Sequence, residues 1–385
     1  MKRLLQILSY ILVAAIASCV TLLLTVEAPI ISKPSSKLDA IQSLINQVYI
    51  GDADKKAMED AASAAMVSAI GDRWSHYMTV EEYQAYKERM DNAYVGVGIT
   101  ITKQDGSYIE INKVEVGGPA EEAGIKAGDM IIAVQGQDVA PMTIDEVKNL
   151  VRGEENTQVN LTLRRDHREF TVAVTRRTIN TVVASGQMLD GNIGLITITN
   201  FDSRCAEETI AAIESLVEQG AKGLIFDVRY NPGGYKHELV ALLDYLLPEG
   251  ALFRSVDYEG NESVDESDAD YLDMPMAVLM NGDSYSAAEF FAAALSEYGV
   301  AKMVGEPTTG KGRFQQTFNL QDGSAVVISV GKYCTPNGVD LTDVGLTPDV
   351  LVDIDDELYM NIYYGRVDVK DDPQIQAALK LLLNP

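Results

Sequence analysis

Residues 276–316 read MAVLMNGDSYSAAEFFAAALSEYGVAKMVGEPTTGKGRFQQ, and their pattern sets the fold class. Ala277-Val278-Leu279-Met280 is an apolar run of strand length, ended by the turn signal Asn281-Gly282-Asp283. From Ser286 the sequence turns Ala-rich, with Phe290, Phe291, Ala294 and Leu295 on one recurring face and Gly299 as a stop, which predicts a helix. A second apolar stretch follows, then a lysine between two glycines, Gly310-Lys311-Gly312. Ser286 therefore stands where a strand becomes a helix, beside first-turn amides that can hold a developing oxyanion. Lys311 comes 25 residues later, a path long enough to run up a helix and back along a strand to the serine.

A serine hydroxyl attacks well only when a neighbouring base takes its proton, and lysine serves as that base only when neutral. Burial in an apolar pocket lowers a lysine pKa toward roughly 7–8. Ser284, two residues upstream, is a rival nucleophile.

Ser286-Ala287-Ala288-Glu289, then Gly305-Glu306-Pro307-Thr308 and Gly310-Lys311-Gly312-Arg313-Phe314-Gln315, resemble the carboxyl-terminal processing peptidases, or tail-specific proteases. Ala288 stands where that family usually has a second serine, and Phe314 where it usually has valine. The resemblance implies Ser286 as nucleophile, Lys311 as general base and Gln315 as the residue orienting the lysine. Asp227-Val228-Arg229-Tyr230-Asn231-Pro232-Gly233-Gly234 ends a strand in a tight turn with exposed amides. By resemblance, Gly233 or Gly234 joins the Ala287 amide in an oxyanion hole, and the sequence does not choose between the two glycines.

The chain has 385 residues, a formal charge of −26 and a pI near 4.4. Such a balance lacks the basic footprint of a nucleic-acid site. The three cysteines form no disulfide framework, there is no HExxH, and no metal or cofactor is expected. Of the three histidines, only His237, just after Pro232-Gly233-Gly234, offers an alternative Ser-His-Asp mechanism. A PDZ scaffold with an inactive protease core is the second alternative.

Along the chain, Met1-Lys2-Arg3 precedes the uncharged run 4–24, 21 residues long and sufficient to cross a bilayer. Positive charge on its N-terminal side places the remainder outside the cytoplasm. Residues 1–33 are thus expected as a single-pass membrane anchor, with a cleaved signal peptide or a lipidated Cys19 as alternatives. Residues 37–90 read as helices and are expected to be a packing or dimerising module without chemistry, including Asp72, Ser75 and Tyr77 of a family-like D-x-x-S-x-Y motif.

Residues 94–177 resemble a PDZ domain. Tyr94-Val95-Gly96-Val97-Gly98-Ile99 is similar to the loop whose amides hold a terminal carboxylate, and the run from Gly117 to Gly136 follows the family pattern. Val95, Gly96, Val97, Gly98 and Ile99 are the expected tail-binding residues. The pocket for the last side chain is expected between Val97, Ile99 and the helix around Ile144 and Val147. Arg152 is a candidate contact between this domain and the protease core.

Strands and helices alternate through 178–352, the expected protease core, and 353–385 ends in a helix starting near Pro373. The acidic stretch 257–273 is expected as a surface excursion. The resemblance implies an α/β core of crotonase/Clp-protease-like βαβ units with an inserted PDZ domain. It also implies a helical lead-in and protein or peptide substrates with free C-termini; the membrane anchor rests on the run 4–24 alone.

Overall fold

The computed structural model describes residues 36–103 and 108–383. The expected anchor at 1–33 lies outside the described residues, among which no helix is long and apolar enough to cross a membrane. The chain divides into two compact units at Met66/Val67.

In the first unit, α1 (Lys37–Val48) begins at a capping box in which Ser36 and Asp39 bond each other's backbone N–H. Its apolar residues Leu38, Ile41, Leu44 and Val48 are exposed. The helix α2 (Lys55–Ser68) follows, and Gln42 donates to Glu59 across the pair.

The second unit starts with a short strand, β1 (His76–Met78), and α3 (Val80–Met90), which opens with a Thr79/Glu82 capping box. A two-stranded ribbon of β2 (Ala93–Gly96) and β8 (Arg177–Asn180) brackets an antiparallel sheet. That sheet runs β3 (Ile99–Lys103), β4 (Ile109–Val114), β5 (Met130–Val134), β6 (Gln158–Arg165), β7 (Arg168–Thr175), with α4 (Ile144–Val151) over it. Its own core contains Ile109, Ile111, Ile131, Val147, Leu161 and Leu163. Among the described residues, the strand β3 pairs on one side only, with β4.

The larger sheet is mostly parallel. Its order is β9 (Ala184–Leu189), β10 (Ile193–Ile198), β11 (Gly223–Asp227), β14 (Met276–Met280), β15 (Ala301–Gly305), β18 (Val350–Leu351). Every residue of β11 and β14 is buried, which is why both read as continuous apolar runs rather than alternating ones. Alternate side chains enter different cores, as the two-residue period of a strand requires. Phe226, Met276, Val278 and Met280 meet α5 (Cys205–Glu218), α6 (Lys236–Leu246) and α7 (Ala287–Glu297). Ile225, Ala277 and Leu279 face Ile375 and Ala378 of α9 (Pro373–Leu383). Between β18 and α9 lies α8 (Asp356–Tyr363).

A smaller antiparallel sheet joins β1, β17 (Ala325–Cys334), β12 (Gly250–Asp257) and β13 (Glu262–Ser267), with β16 (Arg313–Asn319) also on β17. The acidic stretch is largely exposed, as expected, but part of it is paired into this sheet. The paired part includes β13, an edge strand on which charge discourages further pairing, and Asp265 meets Lys236 at 2.8 Å.

Candidate active site

Because β11 and β14 are parallel neighbours, the loops after them open at the same edge of the sheet, where open α/β sheets place their sites. Several bonds lock the two loops together. Ser284 Oγ donates to the Val228 carbonyl at 2.7 Å, Tyr285 N–H to the Asn231 carbonyl at 3.1 Å, and Tyr230 N–H to Asn281 Oδ1 at 3.0 Å. The Ser284 hydroxyl is thus fully buried structural material, which removes the rival nucleophile.

Ser286 sits on the turn into α7 with φ 59° and ψ −126° and is 7% exposed. A side-chain-bearing residue in this region is strained by about 1–3 kcal/mol. It persists because its neighbours fix it. Ser286 N–H donates at 2.9 Å to Glu289 Oε2, and the same oxygen accepts Lys311 N–H at 2.8 Å. The other oxygen, Oε1, accepts Gly310 N–H at 2.7 Å and the Thr308 hydroxyl at 2.5 Å. Glu289 is fully buried, and its carboxylate ties the serine turn to the lysine loop. Sequence reasoning missed this residue as a functional one; its only signal was its place in Ser-Ala-Ala-Glu.

The glycines around Lys311 have a steric cause, since a Cβ at Gly312 would collide with the Thr342 side chain. Burial pushes the Lys311 ammonium down to about 8, against the opposing pull of the Glu289 and Asp72 carboxylates, while Arg73 adds to the lowering. Its Nζ lies 4.6 Å from the centre of the Trp74 ring and 5.7 Å from that of Tyr285. The segment expected to carry no chemistry therefore reaches the lysine. Gln315 does not bond Lys311 here: its amide nitrogen donates to the Arg313 carbonyl and to Ser329 Oγ, both at 3.0 Å.

In the glycine turn, Gly233 N–H is already bonded to Asn231 Oδ1 at 2.8 Å. The Gly233 carbonyl accepts Phe201 N–H at 2.8 Å, and peptide planarity then aims Gly234 N–H the opposite way. A Cβ on Gly233 would stand 2.7 Å from Ser286 Cβ and 2.8 Å from Ala287 N, so this turn packs directly on the elbow. His237 is far more open, with a side chain 73% exposed, stacked on Tyr235 and 3.7 Å from Glu238.

The second site is a groove of about 320 Å³ between β3 and α4, lined by Tyr94, Gly96, Val97, Gly98, Lys148 and Val151 among others. The expected helix residues Ile144 and Val147 do not line it. Val147 is fully buried in the domain core, and the groove is met one turn further along the same stripe of the helix, by Lys148 and Val151. Arg152 lies at the rim over the Tyr94 ring, 3.3 Å from Glu88 of α3.

Residues 192–352 match peptidase family S41 and residues 110–165 match the PDZ domain. The carboxy-terminal processing protease CtpA of Bacillus subtilis (strain 168) is 33% identical over 368 residues, spanning 92% of this chain and 79% of that protein. A probable CtpA-like serine protease of Staphylococcus aureus (strain N315) is 32% identical over 322 residues, 83% of this chain and 64% of its own length. The solved photosystem II D1 C-terminal processing protease is 28% identical, with a TM-score of 0.48 over 82% of this chain and 86% of its own. The chain belongs to peptidase family S41 and is a serine-type, PDZ-containing peptidase of the C-terminal processing kind.

Proposed function

We propose that the protein is an endopeptidase that cleaves protein substrates near their C-termini through a Ser286/Lys311 dyad. The observation that carries this reading is the single Glu289 oxygen bonded to the backbones of both residues, beside a lysine whose proton affinity burial has lowered. In the first step Ser286 Oγ attacks the scissile carbonyl carbon and its proton passes to neutral Lys311 Nζ. The Ala287 and Gly234 amides receive the oxyanion, Gly234 being preferred because the Gly233 amide is engaged by Asn231. The lysine then protonates the departing amine, leaving an ester on Ser286. Water, deprotonated by the same lysine, hydrolyses that ester. Gln315 acts on the lysine indirectly, through Ser329 and Ser75 to the turn that carries Trp74, rather than by direct contact.

The groove takes the substrate's tail. The tail adds a strand along the unpaired edge of β3, its carboxylate on the amides of the 95–99 loop and its last side chain over Val97, Ile99 and Val151. Of the alternatives, a Ser-His-Asp mechanism is disfavoured by the solvent-facing His237, and an inactive scaffold by the depressed lysine. A serine-directed fluorophosphonate should label Ser286 in the wild-type chain and not in Lys311→Met. Equal labelling of both proteins would refute the dyad.

We further propose the domain division 1–33, 37–90, 94–177, 178–352 and 353–385. Residues 1–33 would anchor the protein in the cell membrane with its catalytic part outside the cytoplasm, and the helical lead-in would serve a homodimer. The support is the uncharged run 4–24 after a basic start and the exposed apolar face of α1. Removing residues 1–33 should move the protein from the membrane to the soluble fraction; no change in fractionation would exclude the anchor.

A further inference from the structure

Neither the dyad, the oxyanion amides nor the tail groove uses the turn Asp72-Arg73-Trp74-Ser75, yet this turn is built against the base. Antiparallel pairing of β1 with β17, His76 opposite Val327, delivers it there. Ser75 Oγ donates to Asp72 Oδ2 at 2.6 Å and accepts Ser329 N–H at 3.0 Å. Ser329 in turn holds the Gln315 amide at 3.0 Å. Hydrogen bonds from Ser329 and Ser75 outweigh burial at Asp72 and keep its carboxyl below the usual range. The turn thus links the Asp72 carboxylate through Ser75 and Ser329 to Gln315 and, two residues on, presents the Trp74 indole to Lys311. The Trp74 ring lies 5.6 Å from Tyr285, its plane tilted by 36°, so two aromatic residues from distant segments approach the same amine.

We infer that Trp74 is a positioning residue for the base, excluding water from Lys311 and offering a π face to the ammonium formed once the Ser286 proton has been taken. The inference rests on the reading of Lys311 as base. The two effects oppose each other: exclusion of water favours the neutral amine, and the ring face favours the charged one. Their balance lets one lysine both accept and return a proton within a turnover. The other charged or titratable groups around this amine are Glu289 of α7, Asp72 and Arg73 of the turn, and Tyr285 of the elbow. Arg313 faces Asp72, Arg73 also lies 4.4 Å from the indole centre, and His76 Nδ1 is 3.2 Å from the Trp74 carbonyl oxygen.

Trp74 is the chain's one tryptophan, so its fluorescence reads the contact directly in the full-length protein. Emission should titrate with the same midpoint as the acid limb of kcat/KM, and this transition should vanish in Lys311→Met. His76 remains in both proteins, so their difference isolates the lysine. Trp74→Leu, which keeps the apolar cover without the π face, should move the acid limb to lower pH by about half a unit, and Trp74→Ala, which admits water, should move it higher. A transition that persists unchanged in Lys311→Met overturns the inference, as does a wild-type acid limb in both Trp74 variants. A role in packing alone would lower the plateau and leave the limb in place. Should a Trp74 variant fail to fold, the fluorescence comparison still decides. Retained cleavage by Lys311→Met would instead refute the dyad, a result separable from either fluorescence outcome.

Discussion

The groove proposed for the substrate's tail and the serine elbow proposed for the chemistry are built from opposite materials. The groove is open, formed by the glycine-rich loop 95–99, the free edge of β3 and a few apolar side chains. The elbow is closed: Ser286 and Glu289 are buried, and the lysine is desolvated enough to lose its proton near neutrality. Holding a carboxylate needs only amides that are already present in the backbone. Taking a proton from serine needs a base made neutral by burial, and burial requires several distant segments to converge. A local run can therefore specify the groove, whereas the elbow depends on tertiary structure.

The sharpest way to break this comparison is to remove the base without touching the groove. In Lys311→Met, cleavage should fall by about three orders of magnitude or more, as when a cooperating catalytic unit loses one member. Tail-peptide affinity should stay at the wild-type value. Stability should move the other way from activity. The folded lysine titrates near 8, below the ordinary 10.5, so the unfolded chain binds more protons between those values. Wild-type stability therefore rises with pH through this window. The methionine variant should be the more stable protein below pH 8, with its melting-temperature advantage shrinking toward pH 10.5. A variant less stable than wild type at pH 7 would contradict the desolvated lysine.

A smaller effect is expected at Glu289→Gln. Its amide would place N–H groups against donors that now point at carboxylate oxygens. Denaturant titration should show a loss of about 1–3 kcal/mol, and kcat should drop while KM for a tail-bearing peptide changes little. A kcat equal to wild type would mean that the shared carboxylate does not position the dyad.

The groove gives the mildest test. Matched free-acid and amidated peptides titrated into full-length Ser286→Ala should differ about tenfold in affinity, because amidation removes charge-assisted bonds of roughly 1.5–3 kcal/mol each. Equal affinities would mean that the groove does not read chain ends.

How far the sequence could be read follows the same division. Ser286, Lys311 and the glycine turns announced themselves in short runs, because a strand-to-helix turn and a close backbone approach leave local marks. The loop 94–99 was legible for the same reason. Glu289 was visible only as a letter, since its partners reach it from as far as 22 residues away. The approach of Trp74 to Lys311 was not legible, because its turn is held by a bond spanning 254 residues, from Ser329 to Ser75. The groove-lining part of α4 was misassigned by one helical turn: Ile144 and Val147 lie on the right stripe, but Lys148 and Val151, four residues on, are the ones that line the groove. The strand β13 escaped notice because an edge strand carries charge where a central one carries valine or isoleucine.

The central claim is that neutral Lys311 takes the serine's proton, and the pH dependence of kcat/KM tests it most directly. The account predicts a rate that rises through pH 8 and then levels, with no detectable cleavage at any pH in Lys311→Arg, whose guanidinium stays charged. Near-normal cleavage by Lys311→Arg, or a pH profile abolished by His237→Ala, would contradict it.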